Sequence, residues 1–392
     1  MTRFAFATWD GGGNVPPAVG VAQELVSRGH DVLFIGYEIQ RKRFEAQGFK
    51  FNALRRSGLF DIYRAGEPAQ RVAGLIDNVW ACSEHLDDVP DALAGNSPDV
   101  LVVDFMMQGA LASADRLAVP VAVLAHSSIA GLIPPPESPM GAARLAATNR
   151  LRATAGLAAM TRLNEAWVGY LTLVTTIPAL DPAAAGAASC VRYVGPLFER
   201  FSDAPWDSPW DADDDRPLAL VSFTTTRLWD QSGRIRNTLE ALSGEPVRVL
   251  VSASQPMDLG PIPDNAAIRR FVPHALVLPS AAVTVTHAGH GTVAASLAHR
   301  VPLVALPNPV ADQPFLAATV QQLGAGLALD GESGPAAIRT AVQEVMGQPS
   351  YAAAAGNLAI AIHAAPGVAG AAVELERLAV TGQTSTRLTT GS

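Results

Sequence analysis

Val283-Thr284-Val285-Thr286-His287-Ala288-Gly289-His290-Gly291-Thr292-Val293 is the stretch from which the fold reads. Four β-branched residues in succession make a short buried strand. A small-residue turn follows, and a helix is expected to start near Gly291. Strand, tight turn and helix form one half of a βαβ unit, which implies a parallel sheet. The same rhythm recurs outward from this point. Strands are expected at Leu218–Ser222, Val247–Ser252, Ala281–Thr286, Val301–Leu306 and Gly326–Leu329, with helices over 231–242, 291–299, 312–323 and 334–347. The N-terminal half repeats it. Phe4–Thr8 is a strand closed by Asp10-Gly11-Gly12-Gly13, and a helix from Pro17 to Arg28 ends at Gly29. Strands follow at Asp31–Gly36, over Gly48-Phe-Lys-Phe51, at Asp99–Asp104 and at Val119–Leu124. These strands are continuously apolar, as in a sheet covered on both faces.

Between the halves, residues 196–217 are rich in Pro, Asp and Trp without a period and read as a linker. The expected organisation is an N-terminal domain over 1–195, the linker, and a C-terminal domain over 218–365. A last helix over 366–380 and a disordered tail over 381–392 complete it. The fold class is α/β with two doubly wound, Rossmann-like domains.

Composition narrows the function. Lys+Arg number 28 and Asp+Glu 36, so the formal charge is −8, which gives no footprint for nucleic acid or an anionic membrane. With 49% hydrophobic and 16% charged residues, the chain is far from a disordered composition. Cys82 and Cys190 fit no disulfide framework or zinc spacing and read as two buried thiols in a reducing cytosol. The uncharged stretches Leu117–Pro136 and Phe271–His299 are interrupted by prolines and histidines, so neither reads as a membrane span. A cytoplasmic protein is expected.

Ligands of open α/β sheets bind outside the carboxyl ends of the strands. The turn after Thr286 offers backbone N–H groups at a helix start, an anion site, with His287 and Thr292 as added donors. Gly289-His-Gly291-Thr-Val-Ala294 also matches the loose dinucleotide pattern, but the next strand ends in Pro307-Asn308-Pro309 rather than in a ribose-binding acid. Asp312-Gln313 lies on the same rim and offers a carboxylate and an amide to sugar hydroxyls, or simply a helix cap. The strand-to-turn break between His287 and His290 argues against a metal pair, and Asp213-Asp214-Asp215 reads as a solvated acidic patch. No metal is expected.

With these residues in view, the chain resembles the GT-B nucleotide-sugar-dependent glycosyltransferases, closest to the bacterial group acting on macrolides, enediynes and aromatic polyketides. The resemblance is carried by Phe271-Val-Pro-His-Ala-Leu-Val-Leu-Pro, Val285-Thr-His-Ala-Gly-His-Gly-Thr, Arg300-Val-Pro-Leu-Val-Ala-Leu-Pro, Ala311-Asp-Gln and Leu323-Gly-Ala-Gly. It implies two domains facing across a cleft, and inverting transfer of a sugar, such as a deoxysugar, from a dTDP- or UDP-sugar to a small hydrophobic acceptor. It places Val272 and His274 at the nucleotide base and ribose. His287, Gly289, Gly291 and Thr292 fall at the diphosphate, with Ser222 and Thr225 near the phosphates. Asp312 and Gln313 would hold the donor sugar. It also implies that His287 and the helix start neutralise the leaving diphosphate without a metal, and that the last helix packs back on the N-terminal domain. The family's first loop usually carries a histidine base, but this segment reads Gly13-Asn14-Val15-Pro16-Pro17. Asp104 matches the carboxylate that orients that histidine in some relatives. An amide has no useful basicity, so the base is expected to be Asp10, with Asn14 holding a water, and His126 comes second. A binding or auxiliary homologue without transfer, a nucleotide-sugar epimerase and a nicotinamide enzyme stay open as alternatives, and so does a homodimer.

Overall fold

The structure is a computed structural model that describes residues 1–61, 68–167, 169–200, 206–223, 230–253, 257–309 and 312–382. The tail expected beyond 381 lies outside them, apart from Thr381 and Gly382. The chain forms two compact units. Met1–Pro178, Pro182–Arg200 and the segment from Pro366 onward make unit 1; Ala179–Asp181 and Phe201–Ala365 make unit 2.

Unit 1 is built on a parallel sheet of β1 (Arg3–Thr8), β2 (Asp31–Gly36), β3 (Lys50–Ala53), β4 (Val100–Asp104), β5 (Val121–Ala125), β6 (Leu171–Val174) and β7 (Val191–Tyr193), in spatial order 3-2-1-4-5-6-7. The chain winds outward from β1 to β3, then crosses to β4 on the other side of β1. The carboxyl ends of β1 and β4 therefore flank the switch point where ligands of such sheets bind. Unit 2 repeats the arrangement with β8 (Leu218–Ser222), β9 (Arg248–Ser252), β10 (Ala266–Arg269), β11 (Ala281–Thr286), β12 (Leu303–Ala305) and β13 (Gly326–Ala328), in order 10-9-8-11-12-13. Its switch point lies between β8 and β11.

The central strands are buried along their whole length, as in Val100–Asp104 and Leu218–Ser222. Against the first sheet packs the helix Val15–Ser27, opened by Pro16 and Pro17, whose missing N–H groups cost nothing at a helix start. The helix Gly367–Thr381 lies on it and sends Ala371, Ala372, Leu375 and Leu378 into the same core as Val15, Val19 and Leu25. His30, just past the end of Val15–Ser27, holds this last helix. Its Nδ1 accepts from the Thr2 amide at 3.2 Å, and Nε2 meets Glu376 Oε1 at 2.9 Å.

Several expectations change. Trp206 and Trp210 are half-buried against the core around Leu218, Leu250 and Val272, because an indole beside an apolar cluster is better covered than hydrated. The middle of the acidic run is neutralised locally: Asp214 accepts from Arg216 Nη2 at 2.6 Å, which holds its carboxyl down at about 2. Cys82 is buried and its thiol is pushed up to about 11, mainly by that burial, but Cys190 is only half-buried. One described stretch, Pro349–Thr381, is apolar and long enough to cross a membrane. It is two helices, Pro349–Ala364 and Gly367–Thr381, broken at Pro366, and the second one ion-pairs through Glu374 with Arg192 and Arg377.

Candidate active site: two switch points

At the switch point of unit 1, Asp104 ends β4 and is 4% exposed. Its Oδ1 accepts from the Met106 amide at 2.9 Å and from Trp9 Nε1 at 3.3 Å. Its Oδ2 accepts from Asn14 Nδ2 at 2.9 Å and lies 3.5 Å from His126 Nδ1. Asn14 stands at the N-cap of Val15–Ser27, yet its side chain caps nothing. Asn is a preferred cap, worth about 1 kcal/mol, so its diversion marks a competing demand. Nδ2 also donates to the Trp9 carbonyl at 2.9 Å, and Oδ1 accepts from the Gly11 amide at 3.0 Å. Asn14 is thus a fully bonded strut between the glycine loop and Asp104. His126 follows β5, the neighbour of β4, so sheet register alone brings its ring to Asp104. Its Nδ1 has no hydrogen-bond partner, the carboxylate being just beyond reach, and Phe105 packs on the ring at 4.9 Å. Asp10 is half-buried at the end of β1. Sequence reasoning missed Trp9, although it adjoins Asp10 in the loop already singled out.

The switch point of unit 2 is a set of donors. The helix after β11 is His290–Ala298, one residue earlier than expected, with Gly289 at the N-cap. The Thr292 and Val293 amides both turn back to the Gly289 carbonyl, at 3.1 and 3.0 Å, and the Gly291 amide makes no bond. Ala288 has φ +62°, a left-handed conformation that costs a non-glycine residue about 1–2 kcal/mol and turns the chain sharply into the helix. Gly289 is sterically required, since a Cβ there would sit 2.5 Å from His287 Nε2; at Gly291 a Cβ would meet nothing. His287 is 7% exposed. Burial pushes its imidazole down to about 4, Arg234 adds to the effect, and the Ser222 main chain opposes it. His287 is therefore neutral near pH 7. It can donate one hydrogen bond to an anion.

Ser222 ends β8, and its Oγ is 3.1 Å from His274 Nε2, which joins two of the residues singled out. Burial likewise lowers the His274 imidazole, to about 4. Val272 is buried in the core, which leaves only its main chain for a ligand. Thr225 lies outside the described residues. Asp312 occupies the N-cap position of Gln313–Gln322 but makes no side-chain cap bond. Gln313 Oε1 is occupied by the Asn308 amide at 3.0 Å and Asn308 Nδ2 at 2.9 Å, so its amide can offer a sugar only N–H groups. Asn308 in turn accepts from Arg234 Nη1, and Arg234 also donates to the Gly331 carbonyl at 2.6 Å and to Glu332 at 2.8 Å. This buried arginine, set in a helix with no motif around it, was not foreseen. Among the described residues no group of three or more His, Cys, Asp or Glu side chains is placed to hold a metal ion.

Residues 235–378 match the family model of the erythromycin biosynthesis protein CIII-like C-terminal domain. The 4'-demethylrebeccamycin synthase of Lentzea aerocolonigenes is 30% identical over 402 aligned positions, covering 91% of this chain and 94% of that protein. The crystal structure of the glycosyltransferase of kitacinnamycin superposes with a TM-score of 0.79 at 23% identity, over 96% of this chain and 98% of that one. VinC, a glycosyltransferase solved with dTDP, does so at 0.72 and 19% identity, over 97% and 100%. At such identities the two structures speak for the fold.

Proposed function

Because the chain belongs to the natural-product glycosyltransferases of the GT-B fold, enzymes that use nucleotide sugars, we propose that it transfers a sugar from a dTDP- or UDP-sugar to a small hydrophobic acceptor with inversion. The observation that carries this reading is the Asp104–His126 pair at the switch point of unit 1. An imidazole backed by a carboxylate is the usual general base, and catalytic contacts are often long before substrate binds. His126 Nε2 takes the acceptor's proton while Nδ1 turns to Asp104. The acceptor oxygen then displaces the nucleotide diphosphate from the anomeric carbon in one step, which inverts it. Asn14, at the position where relatives carry a histidine, keeps Asp104 in place rather than acting on a proton.

In unit 2, the Gly291 amide, the helix dipole of His290–Ala298 and the donors of His287 and Thr292 receive the leaving diphosphate. Asp312 supplies an acceptor and Gln313 a donor for the sugar hydroxyls. The VinC complex with dTDP favours a thymidine donor. The test is turnover of dTDP-glucose with aromatic acceptors, with the product's anomeric configuration read by NMR. His126→Gln is expected to lower turnover by about 10²–10⁴-fold and Asp10→Asn to reduce it far less. The reverse outcome transfers the base to Asp10. Binding of dTDP without any turnover supports an auxiliary, non-transferring role.

A further inference from the structure

Arg144, in the helix Pro139–Thr154 of unit 1, is a cation without an anion. By contrast, Arg56 meets the buried Asp88 at 2.9 Å, and the buried Arg234 meets Glu332 at 2.8 Å. Among the described residues Arg144 meets no carboxylate. Its Nη1 donates to the Leu132 carbonyl at 3.3 Å, its buried Nε has no partner, and Nη2 makes no bond. The guanidinium lies over Trp80, 4.7 Å from the ring centroid, and Trp80 is fixed by its own Nε1 bond to Thr148 at 2.8 Å. Trp80 meets Phe105 edge-on at 6.2 Å, and Phe105 packs against His126 at 4.9 Å and Trp167 at 5.8 Å. The cation and the Asp104–His126 pair are thus linked through one cluster of packed aromatic rings. Trp167 Nε1, on the same ring cluster, is a second buried donor without an acceptor.

Unpaired buried donors are uncommon in folded proteins and call for an explanation. Two such donors, Arg144 Nε and Trp167 Nε1, on one ring cluster next to the proposed base suit an oxyanion. We propose that unit 1 selects aromatic acceptors bearing a carboxylate, which Arg144 binds while the hydroxyl to be glycosylated faces His126. This rests on the transfer reading above. Charge-assisted Arg–carboxylate bonds are the strong, directional ones, and the Nε–Nη2 edge is the fork that takes both carboxylate oxygens. Burial pushes the guanidinium down to about 10, and an anion beside it would relieve that cost.

The test uses rhein, a dihydroxyanthraquinone carboxylic acid, against its methyl ester, with dTDP as the control, all titrated calorimetrically into the full chain. The wild type is expected to bind the acid at least tenfold more tightly than the ester, and added salt should weaken only the acid. Arg144→Met should abolish the preference with ester and dTDP affinities unchanged, and Arg144→Lys should keep part of it. Equal binding of acid and ester, binding of neither, or a preference that survives Arg144→Met overturns the proposal. If Arg144→Met does not fold, the acid–ester contrast and its salt dependence in the wild type decide alone. Loss of dTDP binding in the wild type counts against the transfer reading instead.

Discussion

The two switch points occupy equivalent positions in two similar sheets and carry opposite chemistry. In unit 1 the strand ends converge on a buried carboxylate, Asp104, surrounded by donors and one imidazole. In unit 2 they converge on donors alone: a helix start, the open Gly291 amide, and histidines kept neutral by burial. On the proposed reading, one topology serves proton abstraction in one unit and anion binding in the other. The fold sets the location, and the side chains at two or three strand ends set the sign of the field.

The largest effect that can break this contrast is on turnover. Asp104→Asn and His126→Gln are expected to lower kcat by about 10²–10⁴-fold, the range of general-base help, with dTDP affinity level in calorimetry. Parallel loss of dTDP affinity would mean that unit 1 also serves the nucleotide.

Next comes the donor side. His287→Ala removes a hydrogen bond to a charged group, worth about 1.5–3 kcal/mol, or roughly ten- to a hundredfold in dTDP affinity. Asp312→Ala should leave dTDP affinity level and weaken only the intact sugar nucleotide. Unchanged dTDP binding in His287→Ala would remove the diphosphate role from this switch point.

Acid should weaken both units. His85 in unit 1 is fully buried. Tyr37 gives its hydroxyl proton to the Asn78 carbonyl at 2.5 Å, so His85 Nε2 must carry the proton of the 3.0 Å bond to Tyr37. Burial holds His85 and His287 at about 4, below an unfolded histidine near 6.5. Between those values the unfolded chain binds more protons. The stability these groups permit is therefore complete above pH 6.5 and lost as pH falls toward 4, at about 2 kcal/mol each by pH 5. Urea midpoints at pH 7 and 5 measure it, and His85→Leu should flatten the slope if the variant folds. A pH-independent midpoint would show that neither histidine is held neutral.

The smallest effect concerns the cation of unit 2. Glu332 is 85% exposed at its pair with Arg234, so Glu332→Ala should change stability by less than about 1 kcal/mol, as exposed pairs do. A larger loss in thermal melts would show that the buried arginine depends on that carboxylate as well as on Asn308.

Much of this was legible in the chain. The continuous apolar runs at Asp31–Gly36, Leu218–Ser222 and Ala281–Thr286 coincide with strands, because a strand covered on both faces needs no other signal. The edge strands Val191–Tyr193 and Ala266–Arg269 were passed over, being short and only partly buried. Between β3 and β4 the chain makes a π-turn at Ile76–Trp80 and breaks before His85, which local periodicity does not record. That turn ends at Trp80, over which Arg144 lies.

Local chemistry along the chain was enough to name the alternation of strand and helix, the tight turn around Gly289 and the amide at position 14. It could not say which distant groups would meet. Asp104, Asn14 and His126 are far apart in sequence and are joined by the pairing of β1 with β4 and β4 with β5. The neutrality of His287 and the isolation of Arg144 are likewise properties of burial. They depend on how much water and which opposing charges packing leaves nearby, and that is the sum of many contacts from the whole chain, which no single segment encodes.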